Sequence, residues 1–141
     1  QSLNNYKKKI YKISCIISTY NSEEFMAECL DDVENQTVAD DVEIVIVDAN
    51  SPQKEKDIVL EYQKKYTNIK YFRTDTRITV YAAWNLAIKN SVGQYITTQN
   101  TNDRLCPDAH EVMARALDDN PDVMLVYGDT YLTNIPHQTI E

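Results

Sequence analysis

The 141-residue sequence predicts an α/β domain built on a doubly wound, mainly parallel sheet with helices on both faces. Three observations carry that expectation. Strand-length apolar runs alternate with helical stripes along the chain, the order that implies right-handed crossovers. One run, residues 42–47 (VEIVIV), is close to continuous, as in a strand buried on both faces. Polar, hydrogen-bonding residues gather at the carboxyl ends of the runs, where such sheets bind ligands.

The first strand is expected at 10–17 (IYKISCII). Asn21 and Glu24 then form a capping box for a helix with Phe25, Cys29, Leu30 and Val33 on one face. After the strand at 42–47, Ser51-Pro52 reads as a cap with proline at the first helical position, followed by Ile58, Val59, Tyr62 and Tyr66. A strand at 69–72 (IKYF) precedes a stripe of Val80, Trp84, Ala87, Ile88 and Ser91. The run 94–97 (QYIT) is the fourth strand. Pro107 opens a fourth helix carrying Ala109, Val112, Met113, Ala116 and Leu117, and 123–127 (VMLVY) is the fifth strand.

Composition narrows the function. An apolar share of 43% is that of a globular domain, and a formal charge of −8 argues against nucleic acid as partner. Lys7-Lys8-Lys9 belongs to a polar leader, residues 1–9. The three cysteines are widely spaced with no CxxC pair, which predicts neither zinc nor disulfides and suits a reducing, cytoplasmic compartment. No apolar run reaches membrane-spanning length, and the opening residues do not read as a signal peptide. Gln1 in place of Met predicts a piece of a larger protein. With two glycines, Gly93 and Gly128, neither GxGxxG nor GxxxxGK[ST] is present. Ser18 to Asn21 replaces the acids a receiver domain needs after its first strand. Neither His110 nor His137 has an obvious nucleophile partner, and His110 reads as exposed.

The remaining candidates sit at the strand ends: Ser18 to Asn21, Asp48 to Ser51, Arg73 to Arg77, Gln99 to Arg104, and Gly128-Asp129. Turn and cap preferences account for Asn21 and Ser51. They account less well for Asp48, which directly ends an apolar strand, and for two arginines beside the third crossover. Residues 97–105 (TTQNTNDRL) suit either an ordinary polar turn or a weakened metal corner, and the stretch alone leaves both open.

As a set, "CIISTYNSEEFMAECLDDVENQT", "EIVIVDANS", "YAAWNLAIKNSVGQYI", "NTNDRLCPDA" and "DVMLVYGD" resemble the nucleotide-binding half of family 2 glycosyltransferases, of the GT-A fold, from about Ile10 to Asp129. The resemblance implies a transferase that takes a glycosyl group from a nucleotide-diphosphate sugar, a UDP-sugar favoured, with Mn²⁺ or Mg²⁺. The acceptor would be a saccharide, lipid or protein. It also implies a nucleotide-sugar-binding domain at 10–130, with 131–141 a tail or the start of an acceptor-binding half.

Carried over by position, Thr19, Tyr20, Asp48, Arg73, Arg77 and Asn85 would bind the nucleotide, with Asp48 accepting a hydrogen bond from the base. Asn100, Asn102 and Asp103 match the Asp-x-Asp region that holds metal and diphosphate, and Arg104 and Asp129 would lie near the sugar. A hard divalent cation favours anionic oxygen, so Asn-Thr-Asn in place of Asp-x-Asp predicts weak metal binding. The family's catalytic base lies in the acceptor half, so the catalytic residue is unknown. Two readings follow: the donor-binding domain of an active glycosyltransferase, or a degenerate nucleotide- or sugar-binding module without catalysis.

Overall fold

The computed structural model describes residues 9–139. The expected leader, Lys9 excepted, lies outside the described residues. Four strands and four helices alternate: β1 (Ile13–Thr19), α1 (Glu23–Glu34), β2 (Val42–Asp48), α2 (Glu55–Lys65), β3 (Ile69–Arg73), α3 (Val80–Lys89), β4 (Tyr95–Thr98) and α4 (Ala109–Asp119). The strands form one sheet in the order β3-β2-β1-β4, every pairing parallel. The chain winds outward from β1 to β3, then crosses back to put β4 on the other side of β1. That reversal opens a crevice beyond the carboxyl ends of β1 and β4.

Burial explains the continuous run at 42–47. Ile44 and Ile46 face a cluster containing Met26, Cys29, Leu30 and Val33 of α1 and Val59 of α2. Val45 and Val47 face the other side, against Ala83 and Ala87 of α3. Full burial of each such aliphatic side chain contributes about 1.5–3 kcal/mol. The register sets Thr19 opposite Asp48 and Asp48 opposite Arg73, so three polar side chains end three neighbouring strands in a row.

Five expectations need correction. β1 begins at Ile13, and Ile10 is 87% exposed, outside the core that would hold it in a strand. Residues 123–127 form no strand. Apolar composition supplies β-propensity but not a partner, and among the described residues nothing pairs with this run. It lies instead against Ile13, Tyr95 and Ile96 around an apolar cavity of about 90 Å³, with Met124 97% exposed. Asn21 is no cap: it adopts a left-handed φ of 53°, α1 starts after Ser22, and α2 starts at Glu55 rather than at Pro52. His110 is buried, and burial lowers its pKa to about 4, so it is neutral at pH 7.

At the amino end of the sheet, the buried Glu43 carboxylate holds the turn into β4. It accepts from Ser14 Oγ at 2.5 Å and from Val92 N–H at 2.6 Å, and Lys70 Nζ lies 2.7 Å away. Burial opposes its ionisation; Lys70, Ser14 and Val92 outweigh burial and leave the pKa lowered. Gly93 passes so close that an added Cβ would meet the Ser14 backbone nitrogen at 2.6 Å. Gly93→Ala should therefore cost about 1–3 kcal/mol by forced displacement of β1, read as a lowered urea midpoint with unchanged slope.

Candidate functional site

The carboxyl edge is organised by two buried acids. Asp48 ends β2 at zero exposure. Its Oδ1 accepts from Ser51 N–H at 2.6 Å, and its Oδ2 accepts from Tyr71 Oη and Arg73 Nη1, each at 2.6 Å. Arg73 also donates through Nη2 to Asn50 Oδ1 and to the Ser51 carbonyl. Burial first, and the bond to Asp48 second, push the Tyr71 phenol up. Glu55, the first residue of α2, is also fully buried. It accepts from Ser51 Oγ at 2.8 Å and from Ser22 N–H at 2.7 Å. Ser51 Oγ in turn accepts from Asn21 N–H at 3.0 Å.

Above this network lies a cavity of about 670 Å³, lined by Ser18, Thr19, Tyr20, Ser22, Ala49, Arg77, Ile78, Thr79, Val80 and Ala83. Its volume is that of a small-molecule or cofactor site. The Arg77 guanidinium sits 4.2 Å from the centre of the Tyr20 ring. The first turn of α3, capped by Thr79 Oγ1 accepting from Ala82 N–H, forms another wall and brings the positive end of the helix dipole. Among the described residues no carboxylate lines the cavity, although the chain carries a net charge of −8.

The structure brings three of the sequence candidates into this cavity: Thr19, Tyr20 and Arg77. Asp48 and Arg73 lie beneath it, paired with each other, and Ala49 is the residue of that turn that lines it. Asn85 is exposed on α3 and does not line the cavity. Asn100, Asn102, Asp103 and Arg104 form one turn after β4, on the α1 side of the crevice. Asn100 Nδ2 donates to Asp103 Oδ2 at 2.8 Å, and Cys29 Sγ lies 3.9 Å from the Asn100 carbonyl. Arg104 is committed to Asp32 by two bonds, of 2.7 and 2.9 Å. Asp129 is exposed in the segment after α4. Sequence reasoning missed Glu55, whose position four residues after Ser51 was absorbed into an assumed helix turn.

The matched family model, Glycosyl transferase family 2, covers residues 14–136. The chain belongs to glycosyl transferase family 2. It is 40% identical over 100 residues to the poly(ribitol-phosphate) beta-glucosyltransferase of Bacillus spizizenii, covering 70% of this chain and 16% of that protein. The S. aureus TarS 1–349 structure in complex with UDP superposes with a TM-score of 0.72 at 27% identity, over 78% of this chain and 33% of that one. TarS 1–349 is also solved in complex with UDP-GlcNAc. The mannosyltransferase PcManGT from Pyrobaculum calidifontis, in complex with GDP-Man and Mn²⁺, shares the fold with a TM-score of 0.67 at 20% identity, over 78% of this chain and 32% of that one. This chain thus covers about a third of TarS 1–349 and a sixth of the Bacillus enzyme.

A divalent cation fits this turn poorly. Asp103 is the one carboxylate of 100–104, and it is already bonded to the Asn100 amide. Among the described residues no group of three or more His, Cys, Asp or Glu side chains is placed to hold a metal.

Beside the turn, His137 joins the post-α4 segment to α1. Its ring nitrogens lie 2.5 Å from Glu28 and 3.3 Å from Glu24, it stacks on Phe25, and Arg104 Nη1 donates to its carbonyl. The bonds to Glu28 and Glu24 raise its pKa above the ordinary 6.5. A raised folded-state pKa means the docking energy is fully present below about pH 6.5 and is lost as pH rises through the folded value. Amide exchange in 131–138 should therefore be slower at pH 6 than at pH 9 after correction for intrinsic rates. In His137→Gln that difference should disappear.

Proposed function

We propose that this chain is the donor-binding part of a glycosyltransferase, holding a nucleotide-diphosphate sugar, with UDP-sugars favoured, in the cavity at the carboxyl edge. One observation carries the reading: in a strongly acidic chain, this cavity has no carboxylate among the described residues that line it, and is walled by one arginine, a tyrosine face, hydroxyls and a helix amino end. An aromatic face suits a base, and a guanidinium with free helix N–H groups suits a diphosphate. The complexes of TarS 1–349 with UDP and with UDP-GlcNAc support the same choice.

In this reading Thr19 and Tyr20 contact the base, and Arg77 leaves the Tyr20 ring to meet phosphate oxygens. Asp48 contributes through the turn it holds, with Arg73 fixing Asn50 and Ser51 beneath Ala49. Asn85 and Asp129 stay candidates at the margin, and Arg104 acts on the sugar side by ordering the 100–104 turn against α1. Metal, if bound there, is held weakly, and no step is derived through it. Residues 10–130 serve as the donor domain, and 131–141 lead toward an acceptor half. The acceptor, a saccharide, lipid or protein, and the base that deprotonates it belong to the part of the relatives this chain does not span. No described helix is long and apolar enough to cross a membrane. Three free thiols accord with a cytoplasmic setting.

Calorimetry tests the reading. The 141-residue chain should bind UDP, and Arg77→Ala should weaken binding about tenfold, equivalent to ~1.4 kcal/mol. No binding by the parent chain would end the proposal. Sugar release from UDP-sugars by this chain alone should be at background, and robust transfer to a simple acceptor would place the base within it.

Restoring acids tests the metal corner. Asn100→Asp with Asn102→Asp should improve UDP binding about tenfold in Mn²⁺ and worsen it in chelator, since bare acids repel phosphate. Equal affinities in both buffers for both proteins would show a turn that faces no ligand.

A further inference from the structure

We infer that Glu55 is a positioning residue for the donor cavity, acting through the 19–22 loop rather than by touching ligand; this rests on the nucleotide reading above. Glu55 lies on α2, yet its carboxylate is turned beneath the loop that follows β1. Oε1 accepts from Ser22 N–H at 2.7 Å and from Ser51 Oγ at 2.8 Å, with Thr19 Oγ1 at 3.5 Å. Oε2 accepts from Ser51 Oγ at 2.9 Å. Thr19, Tyr20 and Ser22 line the cavity, and Glu55 does not.

The geometry explains why an acid stands there. The loop turns sharply at Asn21, in the left-handed region, and delivers the chain into α1, whose first N–H groups, like those of any helix, have no helical acceptors. Ser22 makes no side-chain cap; its N–H is met from α2 instead, and Glu23 N–H is met by Gln53 Oε1 at 3.1 Å. One neutral hydroxyl could not serve the Ser22 amide, Ser51 and Thr19 together, whereas a carboxylate accepts at several sites. The tie fixes the backbone on both sides of Tyr20, and with it the ring on which Arg77 lies. Loss of the carboxylate frees the loop while leaving every cavity-lining side chain in the sequence.

Glu43 supplies the control. It too is a fully buried acid binding a serine hydroxyl and backbone N–H groups, but at the opposite end of the sheet. Glu55→Ala should weaken UDP binding at least about tenfold and speed amide exchange in 19–23 while exchange in 42–47 holds. Glu55→Gln, which keeps a carbonyl acceptor at one oxygen position, should recover affinity to within about threefold of the parent. Glu43→Ala should lower Tm and leave UDP affinity unchanged. If Glu55→Ala does not fold, Ser51→Ala should show the same loss of affinity with the same local exchange. The inference is overturned if Glu55→Ala, or Ser51→Ala in its place, binds UDP as the parent does. It is equally overturned if affinity falls with Tm alike in the Glu55 and Glu43 variants. A parent chain that binds no UDP refutes the nucleotide reading, and exchange at 19–23 then still decides whether Glu55 holds the loop.

Discussion

Asp48 is fully buried at the end of β2, and a polar side chain is tolerated there because donors converge on both of its oxygens. Arg73, Tyr71 and the Ser51 amide meet it from β3 and from its own turn. Arg73, with its remaining donors, reaches Asn50 and Ser51, which fixes the turn that presents Ala49. Ser51 then links through its hydroxyl to Glu55 and Asn21, tying the end of β1 to the end of β2. The cavity floor is thus a polar network, and the apolar core below it sets only the spacing of the strands.

Much of the fold was legible because β1 and β2 are buried on both faces and their residues show it. The parallel order followed from alternation, and the three expected strands after 42 that pair in the sheet begin or end within about a residue of their expected bounds. The errors share one cause. Asn21, Ser51-Pro52 and 123–127 were read from local preference, and each was decided by a distant partner or the absence of one. Asn21 donates to Ser51 and Ser51 to Glu55, whereas VMLVY has apolar side chains but no neighbouring strand among the described residues.

At the carboxyl edge, the sequence pattern does not tell which side of the backbone each candidate residue faces. Thr19, Tyr20 and Arg77 line the cavity, while the buried Asp48 pairs with the more exposed Arg73 and neither lines it. Nothing in a one-dimensional pattern separates an acid that reads a ligand from an acid that braces a turn. Arg104 makes the same point, since its reach toward the crevice is taken up by Asp32 on α1. The Asn-Thr-Asn turn gave the reverse lesson: its chemistry, poor in anionic oxygen, was readable directly from the letters.

Two asparagines at the rim, Asn21 and Asn50, hold left-handed φ angles of 53° and 63°. Among side-chain-bearing residues Asn and Asp take that conformation most readily, and glycine takes it freely. Positions 21 and 50 therefore have a vocabulary of about three letters during drift or in a randomised library, whatever ligand is selected for. Ala49, between β2 and the second corner, has no such backbone restriction. Diversity in ligand choice can accumulate at 49 while its neighbour at 50 stands almost still.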